Sequence, residues 1–488
     1  MHLGELLNDN SPATAPWRDV EITGLAADSR KVAPGYLFFA LSGSHADGAR
    51  FISDACQRGA AAVLAGAAAQ QAREAQAIPV ITSGNPRRAL ALAAARFYGR
   101  QPECAVAVTG TNGKTSVASF LRQIWLQAGL GAASIGTVGL VTAKGERALS
   151  HTTPDPIALH EMLRELSDEG ISHVALEASS HGLAQYRVDG VKFKAAGFTN
   201  ISRDHLDYHQ GFEDYFGSKL RLFGEVMAPG SAAVINADSD HAGAVADVAA
   251  RRGLEVLTVG EAGSALRLVS HSRAAQGQAL VVEAAGRRHE LTLPLVGDFQ
   301  ASNALVAAGL AIAAGLDAAV ALAALERLRG ATGRLEMVGQ TSRGALIFVD
   351  YAHTPDALKT VLETLRPYTS RRLITVFGAG GDRDRGKRAM MGKVVSELAD
   401  IAIVTDDNPR SEDPAAIRSE IMAAVPQALE IGDRGTAIAA GIKMAGAGDV
   451  LLIAGKGHES GQTVGDVVIP FSDHEAVASA LRRGGRSG

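Results

Sequence analysis

A three-module α/β fold is predicted by three features of the sequence. Apolar runs of strand length alternate with stretches of helical periodicity along the whole chain. The run Ala105–Val108 leads through Thr109-Gly110-Thr111-Asn112-Gly113-Lys114-Thr115-Ser116 into a helical pattern over Val117–Leu126. Four later runs, Leu346–Val349, Leu373–Phe377, Ile401–Thr405 and Val450–Ile453, each end in a polar or Gly-rich loop. The length of 488 residues suits about three domains. We expect an N-terminal α/β module over 1–90, a central module with a mostly parallel sheet over 91–334, and a Rossmann-like module over 335–488.

Composition narrows the classes. Hydrophobic residues at 47% and charged residues at 20% describe an ordinary globular chain with ample core. A net charge of −4 gives no reason to expect nucleic acid or an anionic membrane surface. Cys56 and Cys104 stand apart without CxxC spacing, which argues against a disulfide framework or structural zinc and fits a reducing cytoplasm. The N-terminus lacks a basic stretch followed by an apolar core, so no signal peptide is expected. The alanine-rich run Phe299–Leu316 is interrupted by Gln300, Ser302 and Asn303; it reads as a buried helix rather than a membrane span.

In the first module, strands are expected at Tyr36–Leu41, Ala61–Leu64 and Pro79–Thr82, with a helix over Asn85–Arg100. Asp28-Ser29-Arg30 and Ser44-His45-Ala46-Asp47-Gly48 flank one strand. A shared ligand pocket and ordinary turn chemistry fit that spacing equally well.

The central module opens on the strand–loop–helix that binds a nucleotide triphosphate. Its glycines let backbone N–H groups approach phosphates, and the helix N-terminus adds partial positive charge. Lys114 is placed to meet the β- and γ-phosphates, and Thr115 to offer a hydroxyl to Mg²⁺. Val108 stands where the standard loop has its first Gly, so this loop is a shortened variant. Val174–Leu176 reads as a strand ending at Glu177, a position suited to a second Mg²⁺ contact. Asn200-Ile201-Ser202-Arg203-Asp204-His205-Leu206-Asp207-Tyr208-His209 gathers groups able to bind metal or phosphate. Lys219, in the helical stretch Asp214–Phe223, reads as an ordinary surface lysine. A β-rich stretch, Ala265–Leu295, precedes the alanine-rich helix, and Gly333-Arg334-Leu335-Glu336 marks the next boundary.

In the last module, loops following parallel strands share one side of the sheet, which would gather Arg383, Arg385, Asp407, Arg410, Lys456 and Glu459. The Gly378 loop lacks G-x-G-x-x-G spacing, which argues against NAD. Paired cations and anions suit an amino acid carrying both charges. A nucleotide site together with such a site points to acyl-phosphate ligation, a reaction of positioning and charge neutralisation. An NTP-driven switch or a nucleotide-regulated binding module leaves the second site unexplained.

Four motifs carry a resemblance: Thr109–Thr115, Glu177-Ala178-Ser179-Ser180-His181, Thr199–Asp207, and Asp350-Tyr351-Ala352-His353-Thr354-Pro355. In this order they resemble the Mur ligase family, which adds amino acids to the muramoyl peptide precursor of bacterial cell wall. The nearest resemblance is to the member that extends UDP-N-acetylmuramoyl-L-alanyl-D-glutamate, and Asp407-Asn408-Pro409-Arg410 is similar to its signature for meso-diaminopimelate. L-Lysine is the alternative acceptor, and a folylpolyglutamate-type ligase is a more distant relative.

The resemblance implies that Gly110, Thr111, Asn112, Gly113, Lys114, Thr115 and Ser116, with Asn303, Arg334 and Asp350, bind ATP. It implies that Thr115, Glu177, His205 and a carbamylated Lys219 hold Mg²⁺, and that Lys114, Glu177, His205 and Lys219 serve catalysis. It assigns Ser29, Ser44, His45, Ala46, Thr152, Thr153, Ser179, Gln185 and Arg187 to the UDP-muramoyl dipeptide. Arg383, Asp407, Asn408, Pro409, Arg410, Gly455 and Glu459 fall to diaminopimelate, with Arg410 on the distal carboxylate that lysine lacks. His151 stands where the family has Asn and is not counted as a ligand; Ala27 replaces a larger residue expected near the uridine. A cytoplasmic monomer acting on small molecules, without nucleic acid or membrane insertion, is expected.

Overall fold

The computed structural model describes residues 1–8, 15–43, 47–67, 78–202, 208–274 and 277–484. Three α/β sheets are present, as expected, and the chain groups into two compact units. The first comprises residues 1–268, 283–287 and 305–324; the second comprises 269–282, 288–304 and 325–488.

Within the first unit, the N-terminal sheet is parallel and sequential: Gly24–Ala26, Tyr36–Ala40, Ala62–Gly66 and Val80–Ser83. Alternation along Leu37-Phe38-Phe39-Ala40 splits the core. Leu37 and Phe39 pack with Leu3, Leu6 and Leu90, while Phe38 and Ala40 face Ile52 and Ala55. The helix Pro86–Tyr98 starts with Asn85 accepting from Arg88 N and Pro86 in its first turn, and ends at left-handed Gly99. The strand Gly24–Ala26 escaped the sequence reading because three residues are too few to show a period.

The central sheet of this unit runs Glu255–Gly260, Ala232–Asn236, Phe193–Phe198, Cys104–Thr109, His173–Glu177 and Ala132–Gly136, all parallel. Two antiparallel strands, Gly139–Thr142 and Gly145–Arg147, close one edge. Cys104–Thr109 lies in the middle and is buried at every residue, as a continuous apolar run in a two-faced sheet requires. The β-rich stretch forms three strands, Leu266–Ala274, Gly277–Ala284 and Arg287–Leu293. The alanine-rich run forms the helix Asp298–Ala313, buried through Ala304–Ala308, Leu310 and Ala311. Among the described residues, no helix is long and apolar enough to cross a membrane.

The sheet of the second unit begins with Glu336–Gln340, antiparallel to Leu346–Asp350, and continues in parallel through Val450–Ala454, Leu373–Phe377, Ile401–Val404 and Leu429–Glu430. Placing Val450–Ala454 between the two earliest parallel strands reverses the winding. Such a switch point is where open α/β sheets form ligand crevices. One face packs Phe348, Leu358, Leu362 and Met391, and the other packs Ile347, Val349, Ile438 and Val477. An additional hairpin, Gly461–Val464 with Val467–Pro470, was not legible from periodicity; Val467, Val468 and Ile469 on it are exposed.

Candidate functional site

The first unit builds its site around the strand Cys104–Thr109 and the helix Lys114–Gln127. Gly113 caps that helix with φ 86°, and Gly110 has φ 148°. A Cβ on Gly110 would lie 1.9 Å from Thr199 Oγ1, so only glycine fits there. The loop is tied to the Thr199–Asn200 segment: Thr199 Oγ1 donates to the Asn112 carbonyl (2.6 Å), and Asn112 N donates to Asn200 Oδ1 (3.0 Å). Lys114 Nζ donates to the Gly110 and Thr111 carbonyls at 2.9 and 2.8 Å, curling over its own loop. Ser116 is buried in the first turn.

Pairing of Val108 with Glu177 brings the neighbouring strand end beside the loop, as expected. Glu177 is buried and accepts from Thr115 Oγ1 (3.0 Å), Thr137 N (2.9 Å) and Thr137 Oγ1 (3.2 Å). Thr137 was missed by the sequence reading; its only signal is that it follows the strand Ala132–Gly136. Lys219 is not the surface residue its helical spacing suggested. It is 1% exposed, its Nζ donates to the Gly110 carbonyl at 2.8 Å, and it lies 4.5 Å from the centre of the Tyr215 ring. Tyr215 OH is 2.9 Å from Thr111 Oγ1, a second contact that spacing did not reveal.

Around this core, Thr152 Oγ1 lies 3.1 Å from Thr137 Oγ1. Thr153 Oγ1 donates to the Glu177 carbonyl (2.8 Å) and accepts from Ser179 N (3.0 Å). Ser179 caps the short helix Ser180–Ala184. Arg187 Nη1 donates to the Thr153 carbonyl (2.7 Å) and Nη2 to Gln185 Oε1 (2.8 Å). Four of the residues assigned by resemblance thus form one hydrogen-bonded chain with Glu177, and Gln185 joins it through Arg187. Ser29 is buried in the turn Ser29–Lys31, which Asp28 caps by accepting from Arg30 N (3.0 Å). Exposed His151 bonds Ser150 at 3.0 Å, and Ala27 is exposed. Ser44, His45, Ala46 and His205 lie outside the described residues.

Mg²⁺ prefers hard oxygen ligands and often takes only one or two carboxylates, keeping waters and substrate phosphates for the rest. Glu177 and Thr115 present such oxygens together at the mouth of a phosphate loop, so this donor set fits. Among the described residues, no group of three or more His, Cys, Asp or Glu side chains forms a complete protein cage.

In the second unit, Asn303 Nδ2 donates to Gln300 Oε1 (3.3 Å), and Gln300 Nε2 contacts the Arg334 carbonyl (3.5 Å). Buried Asp350 accepts from Leu335 N (2.6 Å) and Ala352 N (2.7 Å). Burial pushes its carboxyl up, and the Arg334 guanidinium opposes that shift. Arg334 also lies over the Tyr351 ring, 4.6 Å from its centre. Asn303, Arg334 and Asp350 therefore belong to one cluster.

The acid-and-arginine loops converge at the strand ends of the same unit. Asn408 Nδ2 donates to Glu459 Oε2 (2.8 Å), and Lys456 Nζ bridges Asn408 Oδ1 (3.1 Å) and Glu459 Oε2 (2.9 Å). Asp407 is buried, and its Oδ2 has no partner among the described residues. A Cβ on Gly455, which has φ 120°, would lie 2.5 Å from that oxygen, so the glycine keeps the approach to the carboxylate open. Pro409 is buried, and Arg410 adopts a left-handed φ of 51°. Arg410 Nη1 donates to the Gly381 carbonyl at 2.7 Å. Arg383, two residues after Gly381, is exposed and donates to the Asp382 carbonyl (3.2 Å). Arg385 does not join the group; its exposed guanidinium pairs with Glu420. Sequence reasoning also missed Arg434, fully buried behind this site with Asp473.

Comparison with known proteins gives three family matches along the chain. Residues 21–98 match the Mur ligase family catalytic domain, 108–311 the Mur ligase middle domain, and 333–457 the Mur ligase glutamate ligase domain. The chain belongs to the Mur ligase family. This Mur ligase is 56% identical over 485 residues to a protein of Bradyrhizobium diazoefficiens, covering 99% of each chain, and 56% identical over 466 residues to one of Mesorhizobium japonicum, covering 95% of this chain and 96% of that one. Both relatives are named UDP-N-acetylmuramoyl-L-alanyl-D-glutamate--2,6-diaminopimelate ligase. A solved structure of a ligase with that name matches the Mur ligase with a TM-score of 0.74 and 32% identity, covering 99% of both chains.

Proposed function

We infer that this chain is an ATP-dependent, ADP-forming amide ligase that joins meso-2,6-diaminopimelate to UDP-N-acetylmuramoyl-L-alanyl-D-glutamate in peptidoglycan precursor synthesis. The observation that carries the reading is the Thr115–Glu177 pair at the mouth of the Gly110–Ser116 loop, in a chain more than half identical to diaminopimelate ligases along nearly its whole length.

ATP would lie with its phosphates on the backbone N–H groups of Gly110–Ser116 and on Lys114, with Asn303, Arg334 and Asp350 as further nucleotide residues. Mg²⁺, held by Thr115 and Glu177 with His205, would neutralise charge on the transferred phosphoryl group. Ser29, Ser44, His45, Ala46, Thr152, Thr153, Ser179, Gln185 and Arg187 would hold the UDP-muramoyl dipeptide, whose D-glutamate carboxylate receives the phosphoryl group. An amine of diaminopimelate then displaces phosphate and forms the amide. Asp407 offers an ammonium group a carboxylate oxygen that has no partner among the described residues. Asn408, Glu459, Gly455 and Pro409 shape the same corner, and Arg383 and Arg410 meet carboxylates.

Lys219 is proposed to be carbamylated. It is buried beside the phosphate loop, where an added carboxylate would help place the metal. Depleting CO₂ and bicarbonate should lower turnover, and added bicarbonate should restore it; a rate indifferent to both removes the modification. The modules are proposed to run over 1–90, 91–334 and 335–488, with the helix Pro86–Tyr98 leading from the first into the second. A reducing cytoplasm fits the two free cysteines, and a monomer is proposed.

The deciding experiment follows ADP release with ATP, Mg²⁺ and UDP-N-acetylmuramoyl-L-alanyl-D-glutamate, with meso-diaminopimelate, with L-lysine, or with no amino acid. Release only with diaminopimelate supports the reading, and release with lysine transfers it to the other acceptor. No acceptor-dependent release overturns it in favour of a nucleotide-regulated binding module.

A further inference from the structure

Two loops of the second unit, Gly380–Arg383 and Asp407–Arg410, are joined from behind by residues that no substrate-facing role requires. Arg388, on the helix Gly386–Leu398, is fully buried. Its guanidinium forms a fork on Glu412, with Nη2 to Oε1 at 2.7 Å and Nη1 to Oε2 at 2.9 Å, and Nη1 also reaches Glu420 Oε2 at 2.9 Å. Glu412 Oε1 additionally accepts from Asp382 N (2.7 Å). Asp382 returns the contact across the gap: its carboxylate accepts from Ser411 Oγ (2.6 Å) and Ser411 N (3.2 Å). Gly381 N donates to the Asn408 carbonyl (2.9 Å), and Arg410 donates back to the Gly381 carbonyl.

We propose that Arg388 and Glu412 are positioning residues for the amino-acid substrate, clamping the Gly380–Arg383 and Asp407–Arg410 loops in one register and thereby setting where Arg383 and Arg410 meet its carboxylates. The proposal rests on the ligase reading above. An ion pair made by a buried arginine is a poor device for stability alone, because well-packed apolar residues often do as well. A planar fork instead fixes geometry, since both nitrogens must stay in line with both oxygens. The backbone supports this role. Asp382 and Arg410, one on each loop, both hold left-handed φ values, 53° and 51°, a costly conformation that needs surrounding contacts to persist. Arg388 also pulls the Glu412 carboxyl down to about 2, so the clamp stays charged across the working pH range. A register shift would change the spacing between Arg383 and Arg410, and with it the preference for an amino acid bearing a second carboxylate.

Glu412→Gln removes the charge while keeping the shape, and Ser411→Ala opens the other side of the clamp at an exposed position. Steady-state kinetics of the full chain should show the diaminopimelate KM rising roughly tenfold or more in Glu412→Gln, as for a misplaced binding group. The ATP KM should stay within about twofold, and the preference for diaminopimelate over lysine should fall in both variants. Arg388→Lys keeps the charge without the fork and should not restore the preference. If Glu412→Gln fails to fold, as read by thermal unfolding, Ser411→Ala carries the test. An unchanged preference in a folded variant overturns the clamp. Absence of diaminopimelate-dependent ADP release by the wild-type chain overturns the ligase reading itself, so the two failures are separable.

Discussion

Thr115 and Glu177 are separated by 62 positions in the chain, yet their side chains meet at 3.0 Å at the mouth of the phosphate loop. Two parallel neighbouring strands bring them together, and Thr137 completes the grip on the carboxylate. Replacing Glu177 by Gln keeps the shape but removes the charge proposed to hold Mg²⁺. We expect kcat to fall roughly a hundredfold or more with the fold retained, as for loss of one preorganised electrostatic group. Gly136→Ala probes the same group from the side, since its Cβ would lie 2.0 Å from Glu177 Oε1. Turnover within twofold of wild type in both variants would remove Glu177 from catalysis.

Arg410 should matter for one substrate only. Its backbone is tied to the hairpin by N–H donation to the Thr463 carbonyl (3.0 Å) and by Gly465 N donating to its own carbonyl (2.6 Å), so truncating the side chain removes its bond to Gly381 but leaves both of these ties. Arg410→Ala is expected to raise the diaminopimelate KM roughly tenfold to a hundredfold, each factor of ten being about 1.4 kcal/mol. The ATP KM should be unaffected. Equal increases for both substrates would assign Arg410 a structural role instead.

His160 predicts an acid-side loss of stability. It is 3% exposed, with Nε2 3.3 Å from the Asp189 carbonyl, and burial lowers its pKa from 6.5 to about 4. Above pH 6.5 the ring is neutral in both folded and unfolded chains, and its contribution is fully present. As pH falls through that value the unfolded chain takes up a proton that the folded chain refuses, so stability drops until the folded pKa near 4 is reached. The whole shift corresponds to about 3 kcal/mol. His160→Gln should flatten the decline in unfolding midpoint between pH 7 and pH 5. A slope identical to wild type would place the acid sensitivity elsewhere.

The strands at the centre of each sheet were legible because buried parallel strands are continuous apolar runs; Leu373–Phe377 was located to the residue. Loops at strand ends were legible through their glycines and charges. Lys219 was not, since a helix period reports which face a residue occupies but not what lies against that face, here the Gly110 carbonyl. Arg385 was misplaced because position in a loop does not fix side-chain direction, and Glu420, 35 residues further along the chain, claims it. Arg388 and Arg434 were not singled out from the sequence for the same reason. Their carboxylate partners, Glu412 and Asp473, are 24 and 39 residues distant.

Arg434 and Asp473 offer the last test, because neither is exposed at all. Arg434 Nε and Nη2 donate to the two Asp473 oxygens at 2.7 and 2.8 Å, and Nη2 also reaches the Ala454 carbonyl at 3.0 Å. Removing one partner strands a buried charge, which costs about 3–5 kcal/mol, whereas removing both strands none. Arg434→Met should therefore lower the unfolding midpoint of the C-terminal module sharply, and Arg434→Met with Asp473→Leu should recover most of the loss. Asp407 and Glu459 add to the field that holds Arg434 charged, so the double variant should keep its fold while losing a cation behind the corner proposed for diaminopimelate. Its diaminopimelate KM should rise although its stability has returned. A double variant no more stable than the single would show that the pair is uncoupled, and one with wild-type KM would confine Arg434 to structure.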